Sequence, residues 1–167
     1  KKEKIKKPDL KEIARHFTAS GYVVQNSSVL LHWHQKVKEY LPPGGHIEQD
    51  EDPVEAVLRE VKEETGLSVN VIRRDRELRF QYPLSVASPE HVLVEDIEDP
   101  IHGFHQHIDF IYFCSPTKCD SPLSEGWYWF DETALKYGLL MDSGDRRIPP
   151  ADVQELGIAA IRAEYTF

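Results

Sequence analysis

Cysteine is scarce: among 167 residues only Cys114 and Cys119 occur. They form neither a Cys-x-x-Cys pair nor a zinc-type spacing with a histidine, which argues against a disulfide framework or a cysteine-built metal centre and for reduced structural thiols. No apolar run approaches the roughly 20 residues that a membrane helix needs, and no charged-then-apolar leader opens the sequence. A cytoplasmic protein with no membrane partner is the expectation. Basic side chains are also under-represented, 20 Lys and Arg against 29 Asp and Glu, for a net charge of −9. That balance disfavours a nucleic-acid partner, because a phosphate backbone needs basic surface, but it admits a small phosphorylated ligand reached through a cation. The basic run Lys1 to Lys7 is too short to reverse it and reads as a solvated terminus.

What is present suffices for one ordinary globular domain spanning residues 1–167, with 40% hydrophobic composition. Leu10, Ile13, Ala14 and Phe17 recur at helical spacing and predict a short amphipathic helix in an N-terminal extension over residues 1–17. The runs "ASGYVVQ" and "SSVLLHWH", separated at Asn26, predict a hairpin or adjacent strands. Further β-rich stretches fall at Ser68 to Ile72, Arg79 to Tyr82 and His91 to Glu95, and residues 83–106 read as a long loop-rich excursion. "HIDFIYFC", His107 to Cys114, is almost continuously apolar, as in a strand covered on both faces, with Asp109 the exception. "GWYWF" is a short strand, "DETAL" opens a helix capped by Asp131, and Val153, Leu156, Ala160 and Ile161 stripe a final helix over residues 150–164. Helices among many strands in mixed order indicate an α+β or α/β sandwich.

The densest signal is "GGHIEQDEDPVEAVLREVKEETGL", residues 44–67. Asp52 is a helix N-cap, Pro53 suits the first turn, Glu55 completes a capping box, and Gly66 ends the helix in a left-handed turn. Val54, Val57, Leu58, Val61 and Thr65 share one face. Glu60, Glu63 and Glu64 share another, about 5–6 Å apart at Cβ. Two carboxylates about 5 Å apart repel by roughly 3 kcal/mol at an effective dielectric near 20, and by less than about 1 kcal/mol in bulk water. The face is therefore either fully solvated or holds something positive. Oxygen-rich clusters suit hard cations such as Mg²⁺ or Mn²⁺. The glycines of "PPGGHIE" let backbone approach a ligand closely, and Arg59 can reach back to pair with Glu51.

These residues resemble the complete Nudix box: Gly45, five residues, Glu51, seven residues, Arg59-Glu60, Val61, any residue, Glu63-Glu64, any residue, Gly66, Leu67. The resemblance implies the Nudix fold, an α/β/α sandwich around a mixed β-sheet. It also implies Mg²⁺-dependent hydrolysis, with Mn²⁺ as a possible substitute, of the diphosphate linkage in a nucleoside diphosphate derivative. Carried over position by position, it gives Glu60, Glu63 and Glu64 as metal ligands and the Gly44 carbonyl as an additional one. Arg59 and Glu51 would brace the loop, Gly45 and Gly66 would support its shape, and Glu60 is the first choice of general base. "HVLVEDI" followed by "HQHIDFIYF" is similar to a segment of some bacterial Nudix proteins, with no activity attached to it.

A further ligand or base is open among Glu125, Asp120, Glu95 and Glu98, each of which reads first as a surface residue. Asp109 needs a partner inside its apolar strand, which His105 or His107 could supply; otherwise it faces substrate. Trp33, Tyr40, Tyr82, Phe104 and Trp127 are aromatic candidates for stacking on a base, with core packing the preferred reading. Two other functions compete. One is a ligand-sensing Nudix-like regulator that binds without cleaving. The other is isopentenyl diphosphate isomerase, which resembles this chain less because its catalytic cysteine precedes the box. Monomer and homodimer are both open.

Overall fold

The computed structural model describes residues 13–74, 78, 80–118 and 122–165. Its frame is a mixed eight-stranded sheet. Strand β1, Arg15–Gln25, turns at Asn26 and Ser27, both with positive φ, into the antiparallel β2, Ser28–His34. The short β3, Glu39–Leu41, continues from β2, and β4, Gly44–His46, pairs with the first half of β1. Helix α1 spans Pro53–Thr65 and leads to β5, Val69–Val71. A long hairpin follows, β6 at His91–Asp99 and β7 at Gly103–Pro116. Strand β7 runs parallel to β1 over nine residue pairs, from Arg15 opposite Gln106 to Val23 opposite Cys114. Strand β8, Trp127–Phe130, joins β2, and α2, Glu132–Tyr137, precedes the small β9–β10 ribbon, Leu139–Leu140 with Arg146–Arg147. Helix α3, Ala151–Ala163, completes the described chain.

Strand alternation sorts β1 into two cores. Ala19 and Val23 pack with Val57 and Val61 of α1, while Tyr22 and Val24 pack with Val153, Leu156, Ala160 and Ile161 of α3. The expected α/β/α sandwich results. Gly21 is what lets α1 lie close to the sheet: a Cβ there would stand 2.9 Å from Val61 and 3.0 Å from Val57.

Three expectations are corrected. The predicted helix ending at Phe17 is not formed by its described part. From Arg15 the chain is strand, and Ala14 already accepts the Gln106 N–H, because the free edge of β7 takes this segment as its parallel neighbour. Its earlier residues, 1–12, lie outside the described residues. The excursion over 83–106 is loop only as far as Glu90. Its acidic part is strand β6, whose exposed and half-buried residues alternate; edge position lets acids such as Asp96 and Glu98 stand in water, which disguised the strand. At the proposed strand near Tyr82, Gln81 to Leu84 form a turn instead, Phe80 has no regular structure, and Arg79 lies outside the described residues.

Candidate active site

Strand β4 sets Gly45 opposite Ala19 and Gly44 opposite Ser20, which brings the loop beneath α1. The helix start is the capping box read from sequence: Asp52 accepts the N–H groups of Val54 and Glu55, and Glu55 accepts that of Asp52 at 2.9 Å. Gly66, at φ 81°, caps the other end. With both ends fixed, Arg59 points back at the loop and serves five acceptors. Its Nε and Nη2 donate to the two oxygens of Glu51, Nη2 also to the His46 carbonyl at 3.1 Å, and Nη1 to Glu60 at 2.8 Å and Glu63 at 3.3 Å. The Arg59 hydrogen bonds hold the Glu51 carboxyl below its ordinary range, and donating to Glu51 and Glu60 raises the proton affinity of Arg59 itself. The guanidinium is thus positive charge already placed among the crowded acids.

The site is tight where it must be. A Cβ on Gly45 would come to 2.5 Å from the carboxyl carbon of Glu60, so only glycine leaves that carboxylate its position. Glu64 turns inward and accepts the Gly44 N–H at 3.1 Å. Burial pushes its carboxyl up to about 7, against the hydrogen bond from Gly44 and with help from the charges of Glu60 and Glu63. The three glutamates offer only hard oxygen donors, the chemistry that suits Mg²⁺ or Mn²⁺.

A second group of polar side chains lies on the sheet face that carries α3. Asp109 is buried, and its two oxygens accept the hydroxyls of Thr18 at 2.9 Å and Ser20 at 2.8 Å. The histidine partners expected for it are replaced by these hydroxyls, because parallel register sets Thr18 directly beside Asp109. Glu95 stands across from His107 in the β6–β7 pair, and burial, then the charges of Asp109, Asp152 and Glu39, push its carboxyl up to about 7. Toward the start of β1, the rings of His16, His46, His105 and His107 gather, with centroid distances of 4.8–6.1 Å.

A model of the NUDIX domain matches residues 14–150. The chain belongs to the Nudix hydrolase family. A crystal structure of a NUDIX-family hydrolase from Clostridium perfringens is 32% identical, with a TM-score of 0.71 over 90% of this chain and 98% of that one. A CMP-5'-(N-acetyl-N-hydroxy-3-aminopropyl)phosphonate hydrolase of Streptomyces rubellomurinus is 32% identical over 106 residues, 61% of this chain and 44% of that protein. A probable DHNTP pyrophosphohydrolase of Lactococcus lactis is 28% identical over 119 residues, 71% of this chain and 61% of that protein. The chain spans about half the length of these curated relatives.

Of the residues singled out beyond the Nudix box, Asp109, His107 and Glu95 meet on one sheet face. Glu98 is exposed and alternates to the other face of β6. Glu125 is an exposed turn residue next to Ser124, whose N–H bonds the Thr65 carbonyl at the end of α1. Asp120 lies outside the described residues. Among the aromatic candidates, Tyr40 is buried against Trp33 and Phe130, and Trp33 carries Arg147 over its ring at 4.1 Å. Trp127 lies against His32 with centroids 4.3 Å apart. Phe104 and Tyr82 are exposed, at 37% and 85%. Sequence reasoning missed Thr18, Ser20, His16 and His46. The His-x-His of β7 was the one visible signal; its partners come from strands about sixty and ninety positions earlier.

Proposed function

We propose that this Nudix protein hydrolyses the diphosphate linkage of a nucleoside diphosphate derivative, with Mg²⁺ held by Glu60, Glu63, Glu64 and the Gly44 carbonyl. The observation that carries the reading is the convergence on one loop-helix corner of three carboxylates, one of them half-buried and left with a raised proton affinity. A divalent cation bound there would neutralise the diphosphate and make a bound water more acidic. Arg59 holds Glu60 and Glu63 in place while anchoring the loop through Glu51 and the His46 carbonyl. Glu64 is the better proton acceptor for the attacking water. Glu60, the base expected from the box alone, already has the Arg59 guanidinium on one oxygen. The two curated relatives, named for a CMP-linked phosphonate and for a pyrophosphohydrolase reaction, support cleavage of a phosphorus anhydride as the class.

The test is a panel of nucleoside diphosphate derivatives incubated with Mg²⁺ or Mn²⁺ and resolved by product chromatography, with Glu64→Gln alongside. At least one compound should be cleaved, and the substitution should remove most of the rate. Tight binding by calorimetry with every compound intact would instead make the protein a sensing regulator. For the isomerase reading, Cys114 offers no support, since complete burial pushes its thiol up to about 12.

A further inference from the structure

We propose that His16, His105 and His107 form a nitrogen-donor site for a borderline divalent cation of the Zn²⁺ class, separate from the all-oxygen corner of the box glutamates. The side chains reach one another by register. Parallel pairing sets His16 beside His107, and strand alternation puts His105 on the same face two residues earlier. One ring nitrogen from each lies within 4.8 Å of the others. The Nε2 atoms of His105 and His107 are 3.2 Å apart. That is close to the roughly 3.4 Å edge of a tetrahedral site with Zn–N bonds of about 2.0–2.1 Å. The exposed His16 supplies the other two edges, neither longer than 4.8 Å.

The tautomer of His105 fits this role. Its Nδ1 is 3.1 Å from the Gly103 carbonyl, which can only accept, so Nδ1 carries the proton and the Nε2 lone pair faces the cluster. Histidine ligands are usually oriented this way, through a second hydrogen bond to a carbonyl. Two carboxyl groups stand nearby, Glu95 opposite His107 and Asp109 two residues further along β7. Imidazole nitrogens suit Zn²⁺, Co²⁺ or Ni²⁺ rather than Mg²⁺. Three histidines do not fill a tetrahedral shell, and the His46 ring is close by, 5.0 Å from that of His107. The His46 carbonyl is a ligand of Arg59, so this cluster abuts the brace of the box glutamates.

The experiment uses the full chain stripped with EDTA and held in millimolar Mg²⁺, titrated with Co²⁺ by visible spectroscopy and with Zn²⁺ by calorimetry. The expected result is one equivalent of either ion, with the d–d bands of a nitrogen-rich, low-coordinate centre. The exposed-position variant His16→Ala and the variant His107→Gln, each checked for folding by circular dichroism, should weaken binding at least about 10-fold. Glu64→Gln should leave it unchanged. Absence of the bands in the wild type, binding that survives both histidine substitutions, or binding lost in Glu64→Gln would each overturn the proposal. A paired His105–His107 hydrogen bond without metal affinity is the first of those outcomes.

Discussion

The carboxylate of Glu64 accepts the backbone N–H of Gly44 at 3.1 Å, tying the last turns of the box helix to the strand that feeds it. Glutamine in its place keeps an acceptor for that N–H but gives up the charge. Glu64→Gln should therefore remain folded with an unchanged or higher thermal midpoint, while kcat with Mg²⁺ falls by about 10²- to 10⁴-fold. Steady-state kinetics beside a thermal melt checks both halves; a midpoint that drops with activity intact would count against the assignment.

Arg59 is a multidentate brace, and lysine cannot reproduce its fork. Arg59→Lys should cost about 1–3 kcal/mol of stability through the bonds lost to Glu51 and the His46 carbonyl. Urea denaturation measures it, and an unaltered midpoint would mean that the network carries no net energy.

The Gly45 position tests how finely Glu60 is placed. A Cβ there enters the space of its carboxyl group. Gly45→Ala should lower kcat by about 10²-fold, as expected for a displacement near 1 Å, and shift the melting point by only a few degrees. Equal activity in the two forms would show that Glu60 is free to move.

Stability should depend on pH through Glu95. Its carboxyl titrates near 4.5 when unfolded and about 7 when folded, so the folded state binds more protons between those values. Its contribution is fully present below about pH 4.5 and is lost as pH rises through about 7. His107, lowered from 6.5 to about 4, works in the opposite direction below about pH 6.5, so the difference between wild type and Glu95→Gln isolates the carboxylate. In EDTA, wild type minus Glu95→Gln should decline between about pH 5 and pH 8. A flat difference would mean that Glu95 stays ionised throughout.

The box was legible because its determinants are local. Caps, apolar stripe and glutamate spacing all lie within 52–66, where each position sees its neighbours three and four residues away. The β1–β7 pairing was invisible for the opposite reason. Nothing near Phe17 announces that its backbone neighbours will be Ile108 and the flanking residues of β7, so helical spacing of a few apolar side chains stood unopposed. Asp109 shows the same limit: an acid in an apolar strand signals a needed partner, but the two hydroxyls that answer it sit on another strand. The acids of β6 misled because composition was weighed above edge position.

That pairing also sets an order of assembly. Thr18 and Asp109 are 91 positions apart, and closing a chain segment of that length costs roughly 4 kcal/mol of entropy beyond a constant. During synthesis the capped helix can form while β7 is still unmade, and β1 waits with its long edge unpaired. Everything on the α3-facing side of the sheet, the Asp109 pocket and the histidine cluster included, comes into being only when the later half of the chain arrives to claim that edge. A ribosome that stops before residue 103 leaves a chain with every residue of the acidic corner made and β1 still without its parallel neighbour.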